Sequence, residues 1–199
     1  MLLLVALALA LLASGADGDT PGRLIATVGP GFTIDLADAN GNHVDSVVAG
    51  RYEVLVHDRS DMHNFVLGNK ATGARPVTTT VEFVGDQTFT IDLTPGAYGY
   101  ACSPHFQTMN GSLTVVSPRL TASVGASTVF LSATRLPPGN YSVAVTDRSR
   151  SRNFHLVGPG VDRRTSKPYT GKVTWKLPLV AGTYRYGNDP KLRGRLTVG

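Results

Sequence analysis

Of the 199 residues one is cysteine, Cys102, one is tryptophan and three are methionine. A single cysteine excludes any disulfide within the chain. There is no H-E-x-x-H, no G-x-S-x-G elbow after a strand and no glycine-rich phosphate loop. Those absences remove the common signatures of zinc peptidases, serine hydrolases and nucleotide-binding enzymes. Five histidines occur and none forms an H-x-H pair. Long helical periodicity is missing too, while 22 glycines, 12 prolines and many valines and threonines point to all-β structure. The one extended apolar run is Met1 to Ala13, too short for a comfortable membrane span.

That run is followed by Ser14-Gly15-Ala16, a small-x-small cleavage pattern, so residues 1–16 read as a signal peptide cut near Asp17. Export is the expectation, to a periplasmic, extracellular or cell-surface location, with no membrane-spanning segment in the mature chain. No Lys or Arg precedes the apolar core, and an uncleaved anchor is the competing reading. A leftover cysteine in an oxidising compartment points to intermolecular pairing or to a site that uses the thiol. A buried, inert thiol is the plain alternative.

What stands around Cys102 favours a used thiol. His105 lies three residues on and Met109 four further, within Y-G-Y-A-C-S-P-H-F-Q-T-M-N-G-S-L-T-V at 98 to 115. Thiolate, imidazole and thioether are soft donors that suit copper better than calcium, magnesium or manganese. A trigonal site of two imidazoles and one thiolate with a weak axial thioether is an electron-transfer copper geometry. The second imidazole is available from His63 in H-N-F. Zinc takes the same donors; the methionine favours one copper ion. Tyr98, Tyr100 and Cys102 alternate with Ala97, Gly99 and Ala101, the period of a strand with a bulky and a small face. Ser103-Pro104 ends that strand. Asn110-Gly111 reads as a turn, after which Leu113 and Val115 resume the alternation.

The chain also repeats itself. G-R-Y-E-V-L-V-H-D-R-S-D-M-H-N-F-V-L at 50 to 67 matches G-N-Y-S-V-A-V-T-D-R-S-R-S-R-N-F-H-L at 139 to 156, an offset of 89. G-A-Y-G-Y-A-C-S-P-H-F likewise matches G-T-Y-R-Y-G-N-D-P-K-L, and N-G-S-L-T-V matches R-G-R-L-T-V. The sequence therefore divides at Ser117-Pro118 into two units the size of β-sandwich domains, 17–117 and 118–199. In the second, Arg152 stands for His63, Asn188 for Cys102 and Lys191 for His105, and a three-residue gap removes the methionine. Cationic side chains where a cationic metal would sit make copper there implausible. His155, opposite Val66, takes a structural or surface role. His57 is expected to face solvent, His43 to lie in a turn, Met62 to pack, and Trp175 to belong to the core.

On H-N-F at 63, C-S-P-H at 102 and the downstream Met109, residues 22 to 117 resemble the cupredoxin family, its plastocyanin- and azurin-like members. Residues 118 to 199 resemble it without the metal site. The resemblance implies tandem Greek-key β-sandwich domains, the second degenerate, and an electron-transfer role with an exposed His105 edge passing the electron. It also implies that Asn64 and Ser103 hydrogen-bond across the site and hold the ligand loops together. The lack of H-x-H argues against a multicopper oxidase, whose trinuclear cluster needs many histidines, and the protein reads as no enzyme.

Charge divides with the repeat. Residues 17–117 hold 5 Lys and Arg against 11 Asp and Glu, a net of −6; residues 118–199 hold 14 against 3, a net of +11. A basic unit beside an acidic one can steer onto an anionic partner, wall polymer or membrane surface through Arg148, Arg150, Arg152, Arg163, Arg164, Arg193 and Arg195, or can be simply a solvated face. Nucleic acid is excluded as a partner by export. Two functions follow: an electron carrier with a redox partner protein, or a copper-binding or buffering interaction protein whose basic unit docks on an anionic surface.

Overall fold

A computed structural model describes residues 21–199, so the signal-peptide reading lies outside the described residues. Among these residues no helix is long and apolar enough to cross a membrane. Regular structure is entirely strand. The first nine are β1 (Gly22–Val28), β2 (Ile34–Asp38), β3 (Ser46–Val48), β4 (Gly50–Asp58), β5 (Val66–Asn69), β6 (Val77–Thr78), β7 (Gly85–Leu93), β8 (Gly96–Ala101) and β9 (Asn110–Val116). The next nine are β10 (Arg119–Val124), β11 (Val129–Leu131), β12 (Arg135–Leu136), β13 (Gly139–Asp147), β14 (His155–Gly158), β15 (Val161–Arg164), β16 (Gly171–Leu179), β17 (Gly182–Asn188) and β18 (Lys191–Val198).

The strands form four sheets, ordered β2-β1-β4-β7 and β3-β9-β8-β5-β6, then β11-β10-β13-β16 and β12-β18-β17-β14-β15. Adding nine to each strand number of the first pair gives the second pair. Each set is a Greek-key β-sandwich. Each has its first strand parallel to its fourth, Leu24 opposite Val54 and Leu120 opposite Val143.

Period-two patterning drives this architecture, because alternate residues of a strand point to one face. In β4 the inward residues are Val54, Val56 and Asp58; in β13 they are Tyr141, Val143, Val145 and Asp147. Two separate apolar cores result, one around Phe65, Leu67 and Leu113, the other around Phe154, Leu156 and Tyr184. Fully burying each such side chain contributes about 1.5–3 kcal/mol. Trp175 packs on the second core from its margin.

The inward aspartate ending each fourth strand is answered in both sandwiches by the same brace. Thr79 donates its hydroxyl to Asp58 at 3.4 Å and accepts the Phe65 amide at 2.9 Å. Thr165 does the same between Asp147, at 2.6 Å, and Phe154, at 2.9 Å. A buried carboxylate needs such donors. The brace sets where the segment after β4 turns back, and that segment carries His63.

One sequence expectation fails. Asn110-Gly111 is not a turn: both residues lie in β9, paired with Ala101 and Tyr100. The glycine serves another purpose, since a Cβ on Gly111 would lie 2.1 Å from the Tyr100 ring. The aromatic ring lies flat over the neighbouring strand, which only a residue without a side chain permits.

Candidate metal centre

The ligand cluster is built at the end of β8. The alternation of Tyr98, Tyr100 and Cys102 holds, all three facing the core with 4% exposure or less. Cys102 follows the strand directly. The chain then closes a short loop on itself: the His105 amide donates to Cys102 O, the Met109 amide to His105 O at 2.8 Å, and the Cys102 amide to Met109 O at 3.0 Å. Cys102, His105 and Met109 are thereby tied together by backbone alone. His63 comes from the segment between β4 and β5, and the Asp58–Thr79 brace fixes the path of that segment.

The side chains converge. Cys102 Sγ lies 3.6 Å from His63 Nδ1 and 3.6 Å from His105 Nδ1, and the two nitrogens are 3.1 Å apart. Three atoms so spaced have a common centre about 2 Å from each, the length of metal–nitrogen and metal–sulfur bonds. The donor set therefore fits a trigonally held ion without rearrangement. Among the described residues these three form the only group of His, Cys, Asp or Glu placed to hold a metal. Met109 is fully buried in the same core as Cys102.

Burial is graded across the cluster. Cys102 and His63 are inaccessible, whereas His105 is partly exposed. His63 Nε2 is buried without a hydrogen-bond partner. Asn64 and Ser103 do bond across the site: the Ser103 amide donates to Asn64 Oδ1 at 2.7 Å, and Asn64 Nδ2 donates to Ser103 Oγ at 3.2 Å. Asn64 Nδ2 also donates to Thr79 O at 3.1 Å. One amide side chain thus fastens the His63 segment, the Cys102 loop and the brace together. Burial pushes the Asp58 carboxyl up, against the Ser60 amide and Thr79 hydroxyl that stabilise its charge.

A residue not picked out in the sequence completes the cluster. Phe32, in the β1–β2 connection, sets its ring edgewise against both imidazoles, with centroids 5.0 Å from His105 and 5.4 Å from His63. Its signal is weak, an isolated aromatic after Gly-Pro-Gly. Phe32 is 65% exposed, Met62 60% and Phe106 62%. The expectation that Met62 packs is therefore wrong: it projects into solvent beside His63, because the tight turn from Ser60 to His63 directs it outward.

The remaining histidines have other work. His43 is not in a free turn; it bridges to Ala37 and its ring lies between Asp35 and Asp45, which raise its pKa, Asp35 foremost. His57 is only partly solvated, bonded through Nδ1 to Asp86 at 2.8 Å. His155 is buried between Asp189, at 2.7 Å, and Asp162, at 2.9 Å, the structural role expected of it.

In the second sandwich β17 and β18 form a tight hairpin, with Asn188 directly opposite Lys191. The correspondence of Lys191 with His105 does not survive: the hairpin has no room for a histidine-bearing loop, and Lys191 occupies the strand-return position that Met109 holds in the first sandwich. Asn188 accepts the Asn153 amide at 2.9 Å, and Asn153 exchanges two bonds with Asp189, both at 2.9 Å. That reproduces the Asn64–Ser103 tie without the ligands. Arg152 is half-buried; Arg148, Arg150, Arg163, Arg164, Arg193 and Arg195 are exposed.

A buried cysteine sulfur flanked by two imidazoles at the end of a β-sandwich defines a soft-metal centre suited to copper. Residues 44–116 match the family described as copper binding proteins, plastocyanin/azurin family, and His63, Cys102 and His105 within that match are placed to hold one copper ion. No curated protein matches the sequence. Among solved structures, the copper protein rusticyanin is similar at 22% identity over 47% of this chain and 76% of its own, with a TM-score of 0.38. Rusticyanin from Thiobacillus ferrooxidans aligns at 20% identity over 47% and 75%, TM-score 0.34. A multicopper oxidase aligns at 11% identity over 89% of this chain and 88% of that one, TM-score 0.29. At such identities and scores the family match over residues 44–116, together with the geometry, carries the assignment.

Proposed function

We propose that the protein is an exported type 1 (blue) copper electron carrier, with His63, Cys102, His105 and Met109 as its ligands and no substrate of its own. The observation that carries this reading is the triangle of two imidazole nitrogens and one sulfur around a point about 2 Å from each. Bound copper supplies a one-electron couple. His63 and Cys102, both inaccessible, hold water away from the site. Asn64 locks the two ligand segments so that their spacing is the same in both oxidation states, as preorganised outer groups do. His105 is the partly exposed ligand and offers the route for the electron. Phe32, against both imidazoles, and the exposed Met62 and Phe106, next in the chain to His63 and His105, give a redox partner protein an apolar contact. Export rests on the apolar N-terminal run and its small-x-small end.

Adding copper(II) to the full chain should give intense visible absorption that Cys102→Ser abolishes. Reversible cycling with a shifted potential in Met109→Leu supports the carrier; copper binding without cycling refutes it.

A second reading is favoured by the exposure of six of the seven arginines. There the basic unit, a copy that has lost its metal site, docks on an anionic surface while the first unit stores or buffers copper. Retention on anionic vesicles or wall polymer that falls when Arg163 and Arg164 are replaced together supports it.

A further inference from the structure

Where the first sandwich gathers its ligands, the second opens a cleft of about 700 Å³. Arg152 and Asn188, the counterparts of His63 and Cys102, line it together with Ser127, Asp189, Lys191 and Arg193. Three cations and one carboxylate leave the lining at a net +2. The carboxylate does not neutralise its neighbours: Asp189 Oδ1 is bonded to His155 at 2.7 Å and Oδ2 to Asn153 at 2.9 Å. Among the described residues Arg152, Lys191 and Arg193 have no ion pair. Arg152 is the least satisfied of them. Its Nε is buried without an acceptor, and its only hydrogen bond runs from Nη1 to Ala126 O at 3.4 Å. A buried donor left unmade costs about 1–3 kcal/mol, and an arginine fork is shaped to meet two oxygens at once.

We infer that this cleft binds a small dianionic oxyanion, a phosphate group first and a dicarboxylate second, with Arg152 as the main contact and Lys191 and Arg193 at the mouth. Two features support a site over a merely basic surface: the cleft is concave at the position the first sandwich gives to its metal, and three cations line it without an acidic partner. The inference stands apart from copper in the first unit.

The test is calorimetric titration of the full chain with inorganic phosphate and, separately, succinate, at constant ionic strength. Saturable phosphate binding is expected, weakened at least about tenfold by Arg152→Gln and severalfold by Lys191→Gln, since a charge-assisted bond is worth that much. Lys176→Gln, on an exposed residue outside the cleft, should leave it unchanged. Amide resonances of Asn188 and Gly194 should move with phosphate while the copper absorption stays constant. Should Arg152→Gln lower the unfolding temperature, the exposed Lys191→Gln carries the test alone. Phosphate acting no differently from chloride, or binding that both cleft variants retain in full, overturns the inference. Succinate binding more tightly than phosphate overturns the order of preference.

Discussion

At the end of β8 the chain runs from Cys102 to Met109 before β9 begins; at the end of β17 it turns within Asp189 and Pro190. Much of the frame around them is shared. Both sandwiches have the same strand order, the same aspartate–threonine brace and the same asparagine tying the two segments that meet at the site. Both lay a tyrosine ring over a glycine of the next strand, Tyr100 on Gly111 and Tyr186 on Gly194. The scaffold therefore does not depend on the metal. The ligands are an addition to a frame that closes without them.

The widest separation between the halves should come at the sulfur. Cys102→Ser is expected to remove the visible absorption entirely, and Asn188→Cys to create none, because no imidazole loop faces it; a coloured double variant Cys102→Ser, Asn188→Cys would break the comparison. Next comes the asparagine tie. Asn64→Ala and Asn153→Ala should each lower the stability of their own half by about 1–3 kcal/mol in denaturant titration. Only Asn64→Ala should also weaken copper binding, by about 10–100-fold. Similar in stability but smaller at the metal, Gly111→Ala and Gly194→Ala force a methyl group into a tyrosine ring, at 2.1 Å and 2.4 Å. Each should cost about 1–3 kcal/mol. The Gly111 change should also shift the absorption maximum, since Tyr100 lies two residues from the thiolate.

The least effect is one of pH. In the first half Asp35 and Asp45 hold the His43 pKa above its ordinary value. That contribution is complete below the ordinary histidine pKa and is lost as pH rises through the raised one. In the second, burial opposes ionisation of Asp189, but the bonds from His155 and Asn153 prevail and hold its pKa below the ordinary carboxylate value. Its contribution is present above the ordinary carboxylate pKa and is lost as pH falls through the lowered one. Unfolding followed against pH should show His43→Gln flattening the alkaline limb of the first half and Asp189→Asn the acid limb of the second.

The convergence of His63, Cys102 and His105 was legible because H-N-F and C-S-P-H are short and their donor chemistry is specific. The offset of 89 in sequence has its counterpart in two sets of nine strands with one strand order. Asn110-Gly111 misled because a glycine chosen for a ring above it looks, in sequence, like one chosen for a turn. Lys191 misled because alignment slides residues along a gap, whereas pairing with Asn188 fixes the register physically. Phe32 carried only the weak signal of an aromatic after Gly-Pro-Gly, its placement being decided by how β1 and β2 connect. The brace did leave a trace: Asp-Arg-Ser recurs at 58 and 147, and an acidic residue closing an apolar alternation twice is a signal of paired burial.

The pairing of β3 with β9 joins Ser46 to Thr114, across most of the first half, and β1 runs parallel to β4. Contacts so distant along the chain are formed late and slowly. His63 and Cys102 both lie within the stretch that this pairing closes and meet through β5 and β8, Val66 opposite Ala101, so the donors are not assembled until that sheet is. The ion then arrives as a guest in a finished house, entering on the His105 side, and a chain folded in the presence of a chelator should take up copper afterwards as readily as one folded with copper present.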